Sequence, residues 1–74
     1  MEGAMTKFRG VVEAKEGWLL LGGVKRHVSS TFRDGRTATR WAVVVAQVNK
    51  DAGRKVGLVR TEVLVDGAWV DAAE

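Results

Sequence analysis

Apolar and polar residues alternate from Lys7 to Lys15. Phe8, Gly10, Val12 and Ala14 fall on one side and Lys7, Arg9, Glu13 and Lys15 on the other, with Val11 alone breaking the polar set. A period of two predicts a half-buried strand, because successive side chains of an extended chain point to opposite faces. Glu16-Gly17 reads as a turn and Trp18-Leu19-Leu20-Leu21 as a short strand whose unbroken apolar run calls for cover on both sides. Gly22-Gly23 then permits a sharp bend or bulge.

The central feature of the pattern is a long hairpin predicted over residues 24–48. Val24, Val28 and Phe32 recur two or four apart, and Arg33-Asp34-Gly35-Arg36 interrupts them. Asp-Gly suits a two-residue type I′ turn, whose central positions both need positive φ. Centring the turn there pairs Phe32 with Thr37, Ser30 with Thr39, Val28 with Trp41, Arg26 with Val43 and Val24 with Val45. Val24, Val28, Phe32, Trp41, Val43 and Val45 then share an apolar face. Lys25, His27, Ser29, Thr31, Arg33 and Arg40 take the other, with Arg36 near the tip. The second arm is ambiguous: Trp41, Val44, Val45 and Val48 also fit helical spacing, and Ala42 and Ala46 favour a helix. Three consecutive valines, preceded by Thr37 and Thr39, weigh toward extended chain.

Asn49 to Gly53 supplies the next turn, and a strand over 56–65 follows with apolar residues on both sides. Asp66-Gly67 repeats the tight-turn signal and folds Ala68-Trp69-Val70 back so that Leu64 meets Trp69. The pattern as a whole predicts an all-β fold, a small antiparallel barrel or strongly coiled sheet of five or six strands, of SH3-like or OB-like size. Residues 7–72 make one small β domain. Residues 1–6 are expected to be a flexible N-terminal segment, in part an appended leader with Met5 as the natural start.

Composition narrows the chemistry. The chain has 74 residues, a formal net charge of +3, no Cys, no Pro and one His. Lack of Cys excludes disulfides, thiolate metal sites and thiol catalysis, and fits a reducing compartment. His27 has no acid or nucleophile beside it in sequence, so a catalytic triad has no basis. Asp34, Asp51 and Asp66 sit at or near glycines, where turn geometry accounts for them. The acids form no motif spaced for calcium or two-metal chemistry. A non-enzymatic protein with no cofactor and no metal is the expectation. No stretch has the length of a signal peptide core or a membrane span, which points to the cytoplasm.

Charge is unevenly placed. Residues 24–40 carry five cations against Asp34, the next segment adds Lys50, Arg54, Lys55 and Arg60 against Asp51, and the tail from Thr61 turns acidic. Lys25, His27, Ser29, Thr31, Arg33, Arg36 and Arg40 on one hairpin face, extended by Lys50, Arg54 and Lys55, form the candidate surface for DNA or RNA phosphates. Trp18, Trp41 and Trp69 are read as packing residues rather than base-stacking platforms. The rival class is a protein-interaction or structural module. Ala42, Val44, Ala46 and Val48 make an uncharged strip which, with Leu58, is the expected interface of a homo-oligomer or a docked protein partner.

Overall fold

The computed structural model describes residues 6–15 and 23–72. Residues 1–5 of the N-terminal segment, the strand expected at Trp18–Leu21 and Gly22 of the expected bend lie outside the described residues. The elements are β1 (Phe8–Lys15), β2 (Val24–Val28), α1 (Gly35–Asp51), β3 (Lys55–Val65) and β4 (Ala68–Asp71). The strands form one open antiparallel sheet in the order β2-β1-β3-β4. Strands dominate, as the alternation predicts, but among the described residues the sheet has four of them and does not close, and a helix crosses one face.

That helix replaces the second arm of the predicted hairpin. Asp34 is extended, at φ −123° and ψ 124°, and is the N-cap rather than a turn residue. Its carboxylate accepts the Arg36 N–H at 3.2 Å and the Thr37 hydroxyl at 3.0 Å. The backbone donors of a first helical turn lack internal partners, and an Asp side chain satisfies them well. Those hydrogen bonds draw the Asp34 pKa below its ordinary value, the Arg36 N–H most and the Thr37 hydroxyl next. Downstream, Ala38, Ala42 and Ala46 recur every four residues and are buried with Asn49, whereas Val43, Val44 and Val48 are exposed. Burial therefore follows the alanine stripe, and the valine run that favoured a strand lies largely at the surface. Gly53, at φ +85°, ends the segment in the left-handed conformation typical just past a helix.

With its second arm helical, the first arm of the hairpin pairs elsewhere. β2 lies along β1, with Val28 opposite Val11 and Val24 opposite Lys15. The chain continues irregularly beside β1 until Phe32 bridges Phe8. At the irregularity the Ser29 hydroxyl accepts the Gly10 N–H at 2.8 Å and donates to the Ser30 carbonyl at 2.7 Å. Val24, Val28 and Val43, expected in the core, are exposed.

Two other expectations hold, the strand over 56–65, seen as β3, and the tight turn after it. β3 pairs with β1 along its length, and Asp66 and Gly67, at φ 50° and 81°, make the tight turn that sets Leu64 opposite Trp69. The core lies where α1 crosses β1 and β3, around Val12, Ala42 and Ala46 with Trp41, Val45 and Val56 against them. Small residues let the helix come close: a Cβ on Gly10 would stand 2.6 Å from Trp41 Cε3 and 2.8 Å from the Ala38 carbonyl oxygen. The helix packs on β1 and β3 and does not reach β4.

Candidate nucleic-acid interface

The candidate residues separate into three groups. Arg33 lies in the bend before α1, and Arg36 and Arg40 are exposed on the first half of the helix. Ser29 is occupied by its bonds to Gly10 and Ser30, and Thr31 is an exposed residue of the same connection. Lys25 and His27 lie on β2 opposite Ala14 and Val12, on the side of the sheet that carries the helix. No continuous basic hairpin face joins the three groups. The proposed interface strip is likewise divided, with Ala42 and Ala46 buried under α1, Val44 and Val48 exposed, and Leu58 opposite Glu13 on the face away from the helix.

Register assembles a different basic surface at one end of the molecule. β1 ends at Lys15, directly opposite Lys55 of β3 and Val24 of β2, and Lys25 stands opposite the adjacent Ala14. α1 ends at the same place, bringing Lys50 in its last turn. Arg54 links the helix to β3. Its N–H donates to the Asn49 carbonyl at 2.9 Å and its guanidinium to Asn49 Oδ1 at 3.3 Å. Asn49 is itself buried and donates to the Val45 carbonyl at 2.8 Å. That relay fixes where the helix stops and β3 begins, and so fixes the spacing of Lys50, Arg54 and Lys55.

Lys15 and Lys55 flank an open groove of about 370 Å³ whose remaining lining is Glu13, Val24, Val56 and Gly57. Like charges directly opposite on neighbouring strands are destabilising. Among the described residues no carboxylate pairs with Lys15, Lys25, Lys50 or Lys55, and Asp51 accepts from the Gln47 side-chain amide at 2.9 Å. Lys15 is the member that sequence reasoning missed. Glu13 and Glu16 offset its charge in sequence, and only pairing with β3 reveals its lysine neighbour.

A second cluster lies on the sheet face away from the helix. Glu62 is 1% exposed, and Arg9 donates to its Oε1 through Nε and Nη2, both at 2.8 Å. Arg60 donates to Oε2 through Nε at 2.8 Å and through Nη2, while Arg26 Nη2 stands 3.8 Å away. The Arg9 guanidinium also stacks over Trp69, 4.3 Å from the ring centroid, a cation–π contact. Burial pushes the Glu62 pKa up, but hydrogen bonds and charge from Arg9 and Arg60 more than offset this and hold it below the ordinary glutamate value. This carboxylate is saturated by its partners. It ties β1 to β3.

Among the described residues no three His, Cys, Asp or Glu side chains converge to hold a metal, and no helix is long and apolar enough to cross a membrane. No family model matches the chain, and no curated protein or solved structure shows significant similarity to it.

Proposed function

We propose that this protein is a non-enzymatic nucleic-acid-binding domain that holds backbone phosphates at the basic end formed by Lys15, Lys25, Lys50, Arg54 and Lys55. The observation that carries the reading is the in-register opposition of Lys15 and Lys55 across a groove. A pair that costs stability in the free protein is relieved when a phosphate lies between its members, since Coulomb attraction then replaces repulsion. Lysines on strand ends and a helix terminus offer point charges rather than a base-reading fork. The expected binding is therefore of DNA or RNA backbone with little sequence preference. Arg33 just before α1, and Arg36 and Arg40 on its first half, lie away from this end and would steer an anionic partner from a distance. A cysteine-free chain with such a ligand suits the cytoplasm.

Anisotropy titration of labelled single- and double-stranded oligonucleotides across a salt series tests the reading. About five phosphate contacts give a slope of log K against log salt of roughly −4 to −5 on duplex. Lys15→Gln with Lys55→Gln should lower the magnitude of that slope by about two. Arg33→Glu with Arg36→Glu should slow association more than it weakens binding. Absence of salt-dependent binding at low ionic strength, or full affinity in the doubly substituted lysine variant, would eliminate the proposal.

A further inference from the structure

The helix-bearing face of the sheet is only half covered. Strands lie about 4.8 Å apart and a helix with its side chains is about 10 Å wide, so one helix spans roughly two of four strands. α1 occupies β1 and the near side of β3, leaving β4 outside its reach. Val59, Thr61, Val63 and Val65 alternate onto this face of β3, and Val70 stands opposite Val63. Val59, Val65 and Val70 are 43, 47 and 43% exposed. They make the uncovered sheet face beside α1 a shallow apolar trough, and Val59 at one end of it also lines an open groove of about 380 Å³, where Thr39 and Thr61 share a 2.6 Å hydrogen bond.

The helix carries the matching convex surface. Val43, Val44 and Val48 are 56, 54 and 59% exposed on the side of α1 turned from the sheet. One chain thus bears both an apolar ridge and an apolar trough, each without cover among the described residues. Charge matches them as well: exposed Arg36 and Arg40 accompany the valines of the ridge, while exposed Asp66 follows Val65 at the β3–β4 turn that ends the trough.

We infer that the occupant of the trough is α1 of a second copy of this chain, in a two-fold dimer that lays each helix on the partner's β3–β4 valines. A two-fold contact must be self-complementary, and a ridge meeting a trough twice satisfies that with one operation. With α1 on β1 and β3 and the partner's helix on β3 and β4, three of the four strands of each sheet are covered, and the basic ends stay outside the interface. Opposite charges at its margin fix which way each helix lies. The dimer also supplies apolar burial that a 74-residue chain with a core of valines and alanines lacks.

Because the chain has no cysteine of its own, single-cysteine variants report the contact directly. Val43→Cys protein mixed under oxidising conditions with Val59→Cys, Val65→Cys or Val70→Cys protein should give a disulfide-linked heterodimer with at least one of the three. Light scattering of the unmodified chain should show a mass approaching twice 8.0 kDa as concentration rises, and Val65→Lys should return it to the monomer. Circular dichroism checks that each variant retains its helix and strands. A Val43→Cys homodimer as the sole cross-linked product would replace this interface by a helix-on-helix contact. A mass of one chain at all concentrations would overturn the dimer itself. Either result leaves phosphate binding at the basic end standing, since none of Lys15, Lys25, Lys50, Arg54 and Lys55 lies in the proposed interface.

Discussion

Gly10 and Glu62 show how much rests on single positions. Gly10 looks in sequence like one member of an alternating apolar set, yet it is where α1 touches the sheet, with a backbone carbonyl directly in the path of any Cβ. Gly10→Ala should cost about 1–3 kcal/mol, the range for overpacking, because neither the Ala38 carbonyl nor the Trp41 ring yields freely. Thermal denaturation measures the loss. Glu62 reads in sequence as part of an acidic tail, and its burial against Arg9 and Arg60 depends on strand register that no local pattern reveals. Its folded pKa lies below the ordinary value of about 4.3, so its stabilisation is fully present above that value and is lost as pH falls through the folded pKa. Unfolding scans between pH 7 and pH 3 should show this acid limb, and Glu62→Gln should flatten it. The substitution should also lower stability at pH 7 by about 1–2 kcal/mol, since the arginines it leaves are partly exposed.

At the scale of elements, the two Asp-Gly pairs are instructive because they have the same local chemistry and opposite outcomes. Asp66-Gly67 is the tight turn its residues favour, with φ positive at both positions. Asp34-Gly35 is an N-cap and first helical residue. Both uses exploit a short carboxylate that bonds to nearby backbone, and the sequence that follows chooses between them. After Gly67 comes a short run with a strand to pair against; after Gly35 come Ala38, Ala42 and Ala46 at helical spacing. The valine run over 43–45 misleads because its β-propensity reflects packing on a pleated surface, whereas here the alanine stripe packs and two of the three valines face water. Asp34→Ala should lower the melting temperature and Asp34→Asn should restore most of it, since either oxygen can accept the first-turn N–H. Far-UV circular dichroism should report a helix of 17 residues alongside the strands, which an all-β chain would not give.

For the whole molecule, the basic end separates stability from function. Lys55→Glu replaces a lysine pair by an oppositely charged pair across β1 and β3, so it should stabilise the fold by about 0.2–1 kcal/mol while weakening nucleic-acid binding more than loss of one contact would. Denaturant unfolding and anisotropy titration on the same variant check both signs. A variant that loses both stability and binding would show that the lysines serve the fold alone.

The sequence by itself determined β1, β3, the β3–β4 turn and its register, because strand alternation and positive-φ turns are written in neighbouring residues. It also determined that cations gather in the middle of the chain and that no cysteine chemistry operates. Tertiary structure decided that residues 35–51 are helical, that β2 pairs with β1, and that Lys15 meets Lys55. Each of those depends on which apolar surface is available to be covered. A segment with both helical and extended character takes the form that buries its smaller residues against the sheet, and once α1 forms, the cations on either side of it are carried to different ends of the molecule.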